Sequence, residues 1–355
     1  EHSMLAGLTH SPVIELSEKL SKLTNLGHCS YGSDGANAVE IALKMSSHYW
    51  NQTGFPSKNK YIYLENSYHG ETLGALAVTD VPIFRTHYGA LIKNYIKTDS
   101  PDLRLKKNNQ SSDEFLDEKL SKLTKIFEKN HQVTASIIIE PMVQCASGMG
   151  IYDARFLQGV RKLCDQYEVH LIADEIAVGF GRTGKMFAHQ HAKITPDFVC
   201  LSKGLTGGYL PMSVTLTSDK IYNAFYDDDI KKGFLHSHSY TGNPLACSAA
   251  LGTLSIFESD NVLKKNLILS KKINRLFSSL EDLPITDLRN IGMIWAFELD
   301  SKISIDKVLA YSLNKGVLIR PIDNTIYFMP PYCMKETEAR EMIKITREAI
   351  LYAST

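Results

Sequence analysis

VHLIADE (169–175) and DFVCLSKGLTGG (197–208) are two apolar runs that each end in charge. Aliphatic and β-branched residues fill both, so both read as buried strands, and FLQGVRKLCDQYE (156–168) before the first reads as a crossover helix. An earlier run of the same kind, SIIIEP (136–141), ends in Glu140. This alternation predicts an α/β fold with a largely parallel sheet. Ligands of such sheets bind beyond the carboxyl ends of the strands, which is where Glu140, Asp174, Glu175 and Lys203 fall. A lysine at the end of a buried strand must reach water, meet a charged partner or lose its charge to chemistry.

Working outward, ANAVEIALKMSSHYW (36–50) carries apolar residues at helical spacing and is followed by Gly54, while KYIYLE (60–65) and PMSVTLT (211–217) read as further strands. KTDSPDLRLKKNNQSSDE (97–114) and YDDDIKKG (226–233) are polar and read as surface loops. Beyond residue 258 the texture changes. A charged helical segment precedes three short strand-like runs, IGMIWAFEL, GVLIRP and TIYFMPP, and KETEAREMIKITREAILYA reads as a closing helix. The expected division is a large domain over 1–258 and a smaller C-terminal α/β domain over 259–355.

The 355 residues are 44% hydrophobic and 22% charged, with 39 basic and 39 acidic side chains and no net charge. That balance points to a globular protein and away from a nucleic-acid or membrane-surface partner. The six cysteines form no CxxC pair, so neither a zinc site nor a disulfide scaffold is expected. Buried free thiols in a reducing compartment fit a cytoplasmic location. The apolar runs are strand-length, too short to cross a membrane as helices. The opening EHSMLAGLTH is neither a signal peptide nor a natural start, so an N-terminal segment is expected to be missing.

Asp174 and Lys203 lie about one crossover unit apart and can face one pocket. One reading is a structural ion pair. The other is pyridoxal phosphate chemistry, with the lysine amine in a Schiff base and the carboxylate keeping the pyridine nitrogen protonated. That cofactor needs a phosphate cradle and an aromatic lid. YGSDGANAVE (31–40) runs a Ser/Asp/Gly loop into a helix, so the N–H groups of Gly35 and Ala36 can face a phosphate, although Ser33 or Asp34 could equally be a plain N-cap. NSYHGET (66–72) offers Tyr68, with His69 beside it read as a turn hydrogen-bonder.

Taken in order, these motifs resemble the class III, fold-type I aminotransferases that depend on pyridoxal phosphate. IADEIAVGFGRTGKMFA (172–188) with LSKGLTGG (201–208) is similar to that family's signature, and HSHSYTGNPLAC (236–247) to a second conserved stretch. The resemblance implies Lys203 as the Schiff-base lysine and proton-moving base, Asp174 as partner of the ring nitrogen, and Tyr68 as the stacking aromatic that also touches substrate. It implies Gly35 and Ala36 at the phosphate and Glu140 near the cofactor. Ser239 would reach the phosphate of the neighbouring subunit of a homodimer, with Ser237 and His238 beside it. Many relatives carry a hydroxyl residue where Ala36 stands, and they carry aromatic substrate contacts in an N-terminal segment this sequence lacks. Within the family, LAGLTHSPVIELSEKL (5–20) and VLIRPIDNTIYFMPPY (317–332) resemble the branch that converts 8-amino-7-oxononanoate to 7,8-diaminononanoate in biotin synthesis, with S-adenosylmethionine as donor. There Arg320 would bind the substrate carboxylate, as a planar guanidinium suits it to do, and Tyr327 would line the pocket. A surface ion pair is the plainer reading of Arg320. The alternatives are another class III enzyme for ω-amino acids or diamines, or a chain that binds the cofactor without turnover.

Overall fold

The structure, a computed structural model, describes Leu5 and residues 7–354. Helix α1 (Ser11–Thr24) leads to strand β1 (His28–Gly32), helix α2 (Gly35–Gln52) and β2 (Lys60–Leu64). Two short helices, α3 (Leu73–Ala77) and α4 (Pro82–Arg85), precede β3 (Ile96–Thr98), and α5 (Ser112–Asn130) returns the chain to β4 (Thr134–Ile139). A small hairpin, β5 (Val143–Gln144) with β6 (Gly150–Ile151), and helix α6 (Ala154–Tyr167) lead to β7 (His170–Asp174), β8 (Phe198–Leu201) and β9 (Ser213–Thr217). After α7 (Asp219–Tyr222), α8 (Pro244–Ser259) and α9 (Val262–Phe277) come β10 (Ile285–Ile291), β11 (Ile294–Leu299), α10 (Ile305–Asn314), β12 (Thr325–Phe328) and α11 (Glu336–Ala353).

The main sheet has the order β1-β9-β8-β7-β4-β2-β3. Strand β9 is antiparallel to both β1 and β8, and every other pair is parallel. Strand β1 therefore runs the same way as β8, and β9 alone is reversed. The carboxyl ends of β1, β2, β4, β7 and β8 all open on one edge.

Strands β4, β7, β8 and β9 are buried along their whole length because helices cover both faces; β8 (FVCL) is wholly apolar, while β9 (SVTLT) alternates apolar residues with buried Ser213, Thr215 and Thr217. Side chains alternate between those faces. Ile138 and Ile172 pack with Ala38, Ile41 and Met45 of α2. Their neighbours Ile137, Ile139 and Leu171 pack on the other side with Leu123 and Phe127 of α5 and Phe156 and Val160 of α6. Helices α1 and α8 cover the β8–β9 end through Leu16, Leu20, Ala250 and Leu254 against Leu201, Val214 and Leu216.

A second, antiparallel sheet, β10-β11-β12, has its own core, in which Trp295 and Phe297 meet Ile273 and Phe277 of α9 and Ile343 and Ile350 of α11. The expected boundary after residue 258 falls at the end of α8. Two expectations need correction. GVLIRP is not a strand: residues 317–321 run irregularly past Gly316 (φ +85°), Leu318 is exposed, and Pro321 has no N–H for a ladder. The polar run 97–114 is not simply a surface loop, because it begins inside β3, ends inside α5 and buries Asp102. No helix among the described residues is long and apolar enough to cross a membrane.

Candidate active site

Strand β7 delivers Asp174 to the common edge with its side chain only 5% exposed. Its Oδ2 lies 2.7 Å from Nδ1 of the fully buried His69, and its Oδ1 accepts the Ile176 N–H at 3.1 Å. An ionised carboxylate only accepts, so the His69 proton sits on Nδ1. His69 in turn donates its backbone N–H to Thr79 Oγ1 at 2.9 Å. His69 is thus a deep carboxylate partner rather than a turn hydrogen-bonder. The structural ion pair between Asp174 and Lys203 is not formed, since Asp174 pairs with His69 instead. His69 Nε2 is buried and has no hydrogen-bond partner among the described residues.

Glu140, just past β4, uses both oxygens: Oε1 accepts the Tyr68 N–H at 3.1 Å and Oε2 the Cys145 N–H at 3.0 Å. Burial pushes its carboxyl up to about 7; His69 acts against this and the Asp174 charge adds to it. Tyr68 is half-buried, with its hydroxyl donating to Glu71 Oε1 at 2.9 Å and its ring 5.1 Å from that of Phe84. Burial, then the Glu71 carboxylate, raises the phenol's pKa, so it stays protonated.

At the start of α2, Asp34 is an N-cap: its Oδ1 accepts the Asn37 N–H at 3.0 Å and its Oδ2 the Ser33 hydroxyl at 2.9 Å. The N–H groups of Gly35 and Ala36 in that first turn have no acceptor inside the helix. Packing brings three loops together here. A Cβ built on Gly70 would stand 2.6 Å from the Ala36 Cβ, and one on Gly35 would stand 3.0 Å from Ile176 Cγ2. The loop carrying Tyr68 and His69 and the loop after Asp174 therefore both rest on the α2 N-terminus.

Lys203 follows β8 in a short 3-10 turn and is exposed, not buried at a strand end as its sequence context suggests. Its φ of +41° lies in the left-handed region, which costs a non-glycine residue about 1–2 kcal/mol. Gly207 and Gly208, at +64° and +82°, complete the turn without that cost. The Cys145 thiol marks the convergence: burial raises its pKa, the Glu140 and Asp174 charges add to the rise, and Lys203 and Arg182 oppose it.

Lys203, Asp174, Tyr68, Glu140, Gly35 and Ala36 thus share one edge. Tyr327 on β12 packs with Met142, Cys145 and Val178 beside it. Arg320 is exposed, with no hydrogen bond or ion pair among the described residues, so the surface ion pair is not formed either. Ser237 and Ser239 are exposed and His238 is half-buried, while their neighbour His236 reaches Asn37 Nδ2 of α2 at 3.3 Å.

Sequence reasoning missed His69 as a partner of Asp174 and Arg182 as a tie. The Arg182 guanidinium lies 4.5 Å from the Tyr332 ring centre and donates to the Pro330 carbonyl at 2.8 Å, fastening the loop after Asp174 to the second sheet's margin. The polar run NSYHGET around His69 gave no local signal that this imidazole is buried against a carboxylate. Glu175 has structural work, accepting the N–H groups of Ala188 and His189, each at 2.8 Å.

The edge offers an amine, a buried carboxylate, an aromatic face and free helix N–H groups, the donor set of a phosphate-bearing cofactor that needs a covalent tether. This is the scaffold of a group-transfer enzyme. The chain belongs to the class-III aminotransferase family, whose model matches residues 1–350. It is 44% identical, over 97% of its own length and 79% of the relative's, to the adenosylmethionine-8-amino-7-oxononanoate aminotransferase of Helicobacter pylori strain 26695. The crystal structure of the enzyme of that name from Methanocaldococcus jannaschii matches with a TM-score of 0.92 at 35% identity, covering 100% of this chain and 82% of that one. A PLP-bound amine transaminase from an uncultivated Pseudomonas species matches with a TM-score of 0.92 at 28% identity, covering 99% and 83%.

Proposed function

We propose that the protein transfers an amino group from S-adenosylmethionine to 8-amino-7-oxononanoate, forming 7,8-diaminononanoate, with pyridoxal phosphate as cofactor. The observation that carries this is the buried Asp174–His69 pair on the same edge as Lys203, in a chain 44% identical to a relative bearing that activity in its name. The donor set fits the cofactor. Asp174 is already anchored through both oxygens, so it can face a ring nitrogen without reorganising. The α2 N-terminus has two first-turn N–H groups and a helix dipole to offer a phosphate.

When bound, the cofactor supplies an electron sink for charge left on the substrate carbon. Asp174 holds the proton on the ring nitrogen, and His69 fixes the carboxylate in place. Lys203 Nζ would tether the cofactor covalently and, as a free amine, would serve as the base that moves a proton at the substrate carbon. Its exposed position leaves Nζ room to swing. Tyr68 would stack on the cofactor ring, and Glu140 holds the Tyr68 backbone. Gly35 and Ala36 bind the phosphate. His238 and Ser239, with Ser237 beside them, extend from a segment where Tyr226, Ile230, Leu235, Tyr240 and Leu245 are 63% to 76% exposed. Such apolar exposure supports a homodimer in which Ser239 reaches the partner's phosphate. Arg320 pairs with the keto acid's carboxylate and Tyr327 lines its path. Residues 1–258 and 259–355 act as large and small domains of a cytoplasmic enzyme.

Because donor and acceptor use one site in turn, initial-rate plots at several fixed donor concentrations are expected to be parallel, with 7,8-diaminononanoate appearing by mass spectrometry. Turnover of ω-amino acids or diamines without any product from 8-amino-7-oxononanoate would instead select the other class III activity.

A further inference from the structure

A buried ionic node joins the second sheet to the hairpin beside Glu140. Glu298 on β11 accepts Arg104 Nη1 and Arg289 Nη2, each at 2.7 Å, on its Oε1, and the Thr325 hydroxyl of β12 at 2.7 Å on its Oε2. Asp102 completes the set, accepting Arg104 Nε at 2.8 Å and Nη2 at 2.6 Å. Further donors of the two guanidiniums reach three successive carbonyls of the hairpin turn, while Arg289 Nη1 donates to the Asp287 carbonyl at 2.7 Å. Arg104 donates to Ser147 at 2.6 Å, Arg289 Nη2 to Gly148, and Arg289 Nε to Met149 at 3.0 Å. Gly148 (φ +77°) lies so close that a Cβ there would stand 2.6 Å from Thr325 Oγ1.

The rest of the hairpin is fastened to the active edge. The Cys145 N–H holds Glu140 Oε2, Ser147 Oγ donates to the Asn66 carbonyl at 2.6 Å, and Gln144 Nε2 donates to the Glu65 carbonyl at 2.8 Å. Residues 65 and 66 open the turn that presents Tyr68. Strands β11 and β12, which hold Glu298 and Thr325, also hold Tyr327.

We propose that Glu298, acting through Arg104 and Arg289, is a positioning residue that fixes the 147–149 turn, and with it Glu140 and the Tyr68 turn, in register with the strand carrying Tyr327. Two like charges converge on one carboxylate oxygen, so neutralising Glu298 leaves Asp102 as the sole anion facing both guanidiniums. The locking stands on these contacts alone, whereas its effect on turnover rests on the proposed cofactor site.

The test is hydrogen exchange and steady-state kinetics on the cofactor-loaded protein and its Glu298→Gln and Thr325→Val variants. Glutamine keeps the shape and one acceptor oxygen, and it replaces the other oxygen with a donating NH2 while removing the charge. Glu298→Gln is expected to speed amide exchange about tenfold, or about 1.4 kcal/mol of local opening free energy, over residues 143–150 and 65–70. Residues 170–174 and 198–201 are expected to stay unchanged. The KM for 8-amino-7-oxononanoate rises severalfold with cofactor occupancy intact. Thr325→Val removes one hydrogen bond and gives the same pattern at smaller size, and carries the test if Glu298→Gln does not fold. Faster exchange confined to residues 285–328, or a fall in kcat matching the folded fraction at constant KM, would overturn the proposal. Failure of the parent protein to bind pyridoxal phosphate would overturn the cofactor site, and the exchange pattern would still decide the locking.

Discussion

Asp174 and Arg320, both assigned to the proposed substrate site, are held in opposite ways. Asp174 is buried and held by two partners, while Arg320 is exposed and held by none among the described residues. In the proposed site the chemical end is built before anything binds, and the carboxylate-reading end would be completed by its substrate. Substitutions at the first should therefore disturb both stability and turnover, and at the second only substrate affinity.

The largest effect is expected from Lys203→Ala, which removes the tether and the base and should lower kcat by at least about 10³-fold. Because Lys203 is exposed, the melting temperature should barely move. Asp174→Asn should lower kcat by about 10²-fold and, unlike Lys203→Ala, also destabilise the fold by about 1–3 kcal/mol, because it removes the charge that the buried His69 faces. Urea titration beside kinetics separates the two variants. Arg320→Ala should raise the KM for 8-amino-7-oxononanoate about 10- to 100-fold, the weight of a charge-assisted pair, at unchanged stability. A stability loss there would break the contrast.

Two carboxyls sharpen the comparison through pH. Burial raises Glu140 from 4.5 to about 7, so in the cofactor-free protein its folded state binds the proton more tightly than the unfolded chain. Its contribution is full below pH 4.5 and is lost as pH rises through about 7. Glu298 behaves oppositely. Burial acts to raise it, but the Thr325 hydroxyl and the two guanidiniums hold it below the ordinary 4.5, so its contribution is present above pH 4.5 and lost as pH falls. Denaturation of Glu140→Gln and Glu298→Gln from pH 3 to 8 should show the gap from the parent changing with opposite slopes, for Glu298 below pH 4.5 and for Glu140 between pH 4.5 and about 7. The smallest effect is Ala36→Ser, which adds one hydroxyl at the α2 N-terminus and should tighten cofactor binding a few-fold, about 0.5–1 kcal/mol, measured by fluorescence titration.

Much of the edge was legible in the chain itself. Strands buried on both faces leave unbroken apolar runs, and charges at their ends in β4 and β7 stand out against them. The reversal of β9 was not legible, because direction leaves no trace in a fully buried strand. Neither was the Asp174–His69 pair, whose members lie 105 residues apart, nor Arg104–Glu298, 194 apart, since local patterning carries no record of such pairings. Arg104 sits in a stretch whose polarity reads as solvent, yet its charge is neutralised by Asp102 beside it and by Glu298 from the second sheet. GVLIRP shows the converse, an apolar run that a following proline keeps out of the ladder.

The most direct measurement is the absorbance spectrum of the protein with pyridoxal phosphate, before and after S-adenosylmethionine, beside Lys203→Ala. The expected result is a long-wavelength band in the parent, absent from Lys203→Ala, that gives way to the shorter-wavelength band of the aminated cofactor when the donor is added. A band that forms equally in Lys203→Ala, or never forms in the parent, would contradict the assignment of this edge as the cofactor site.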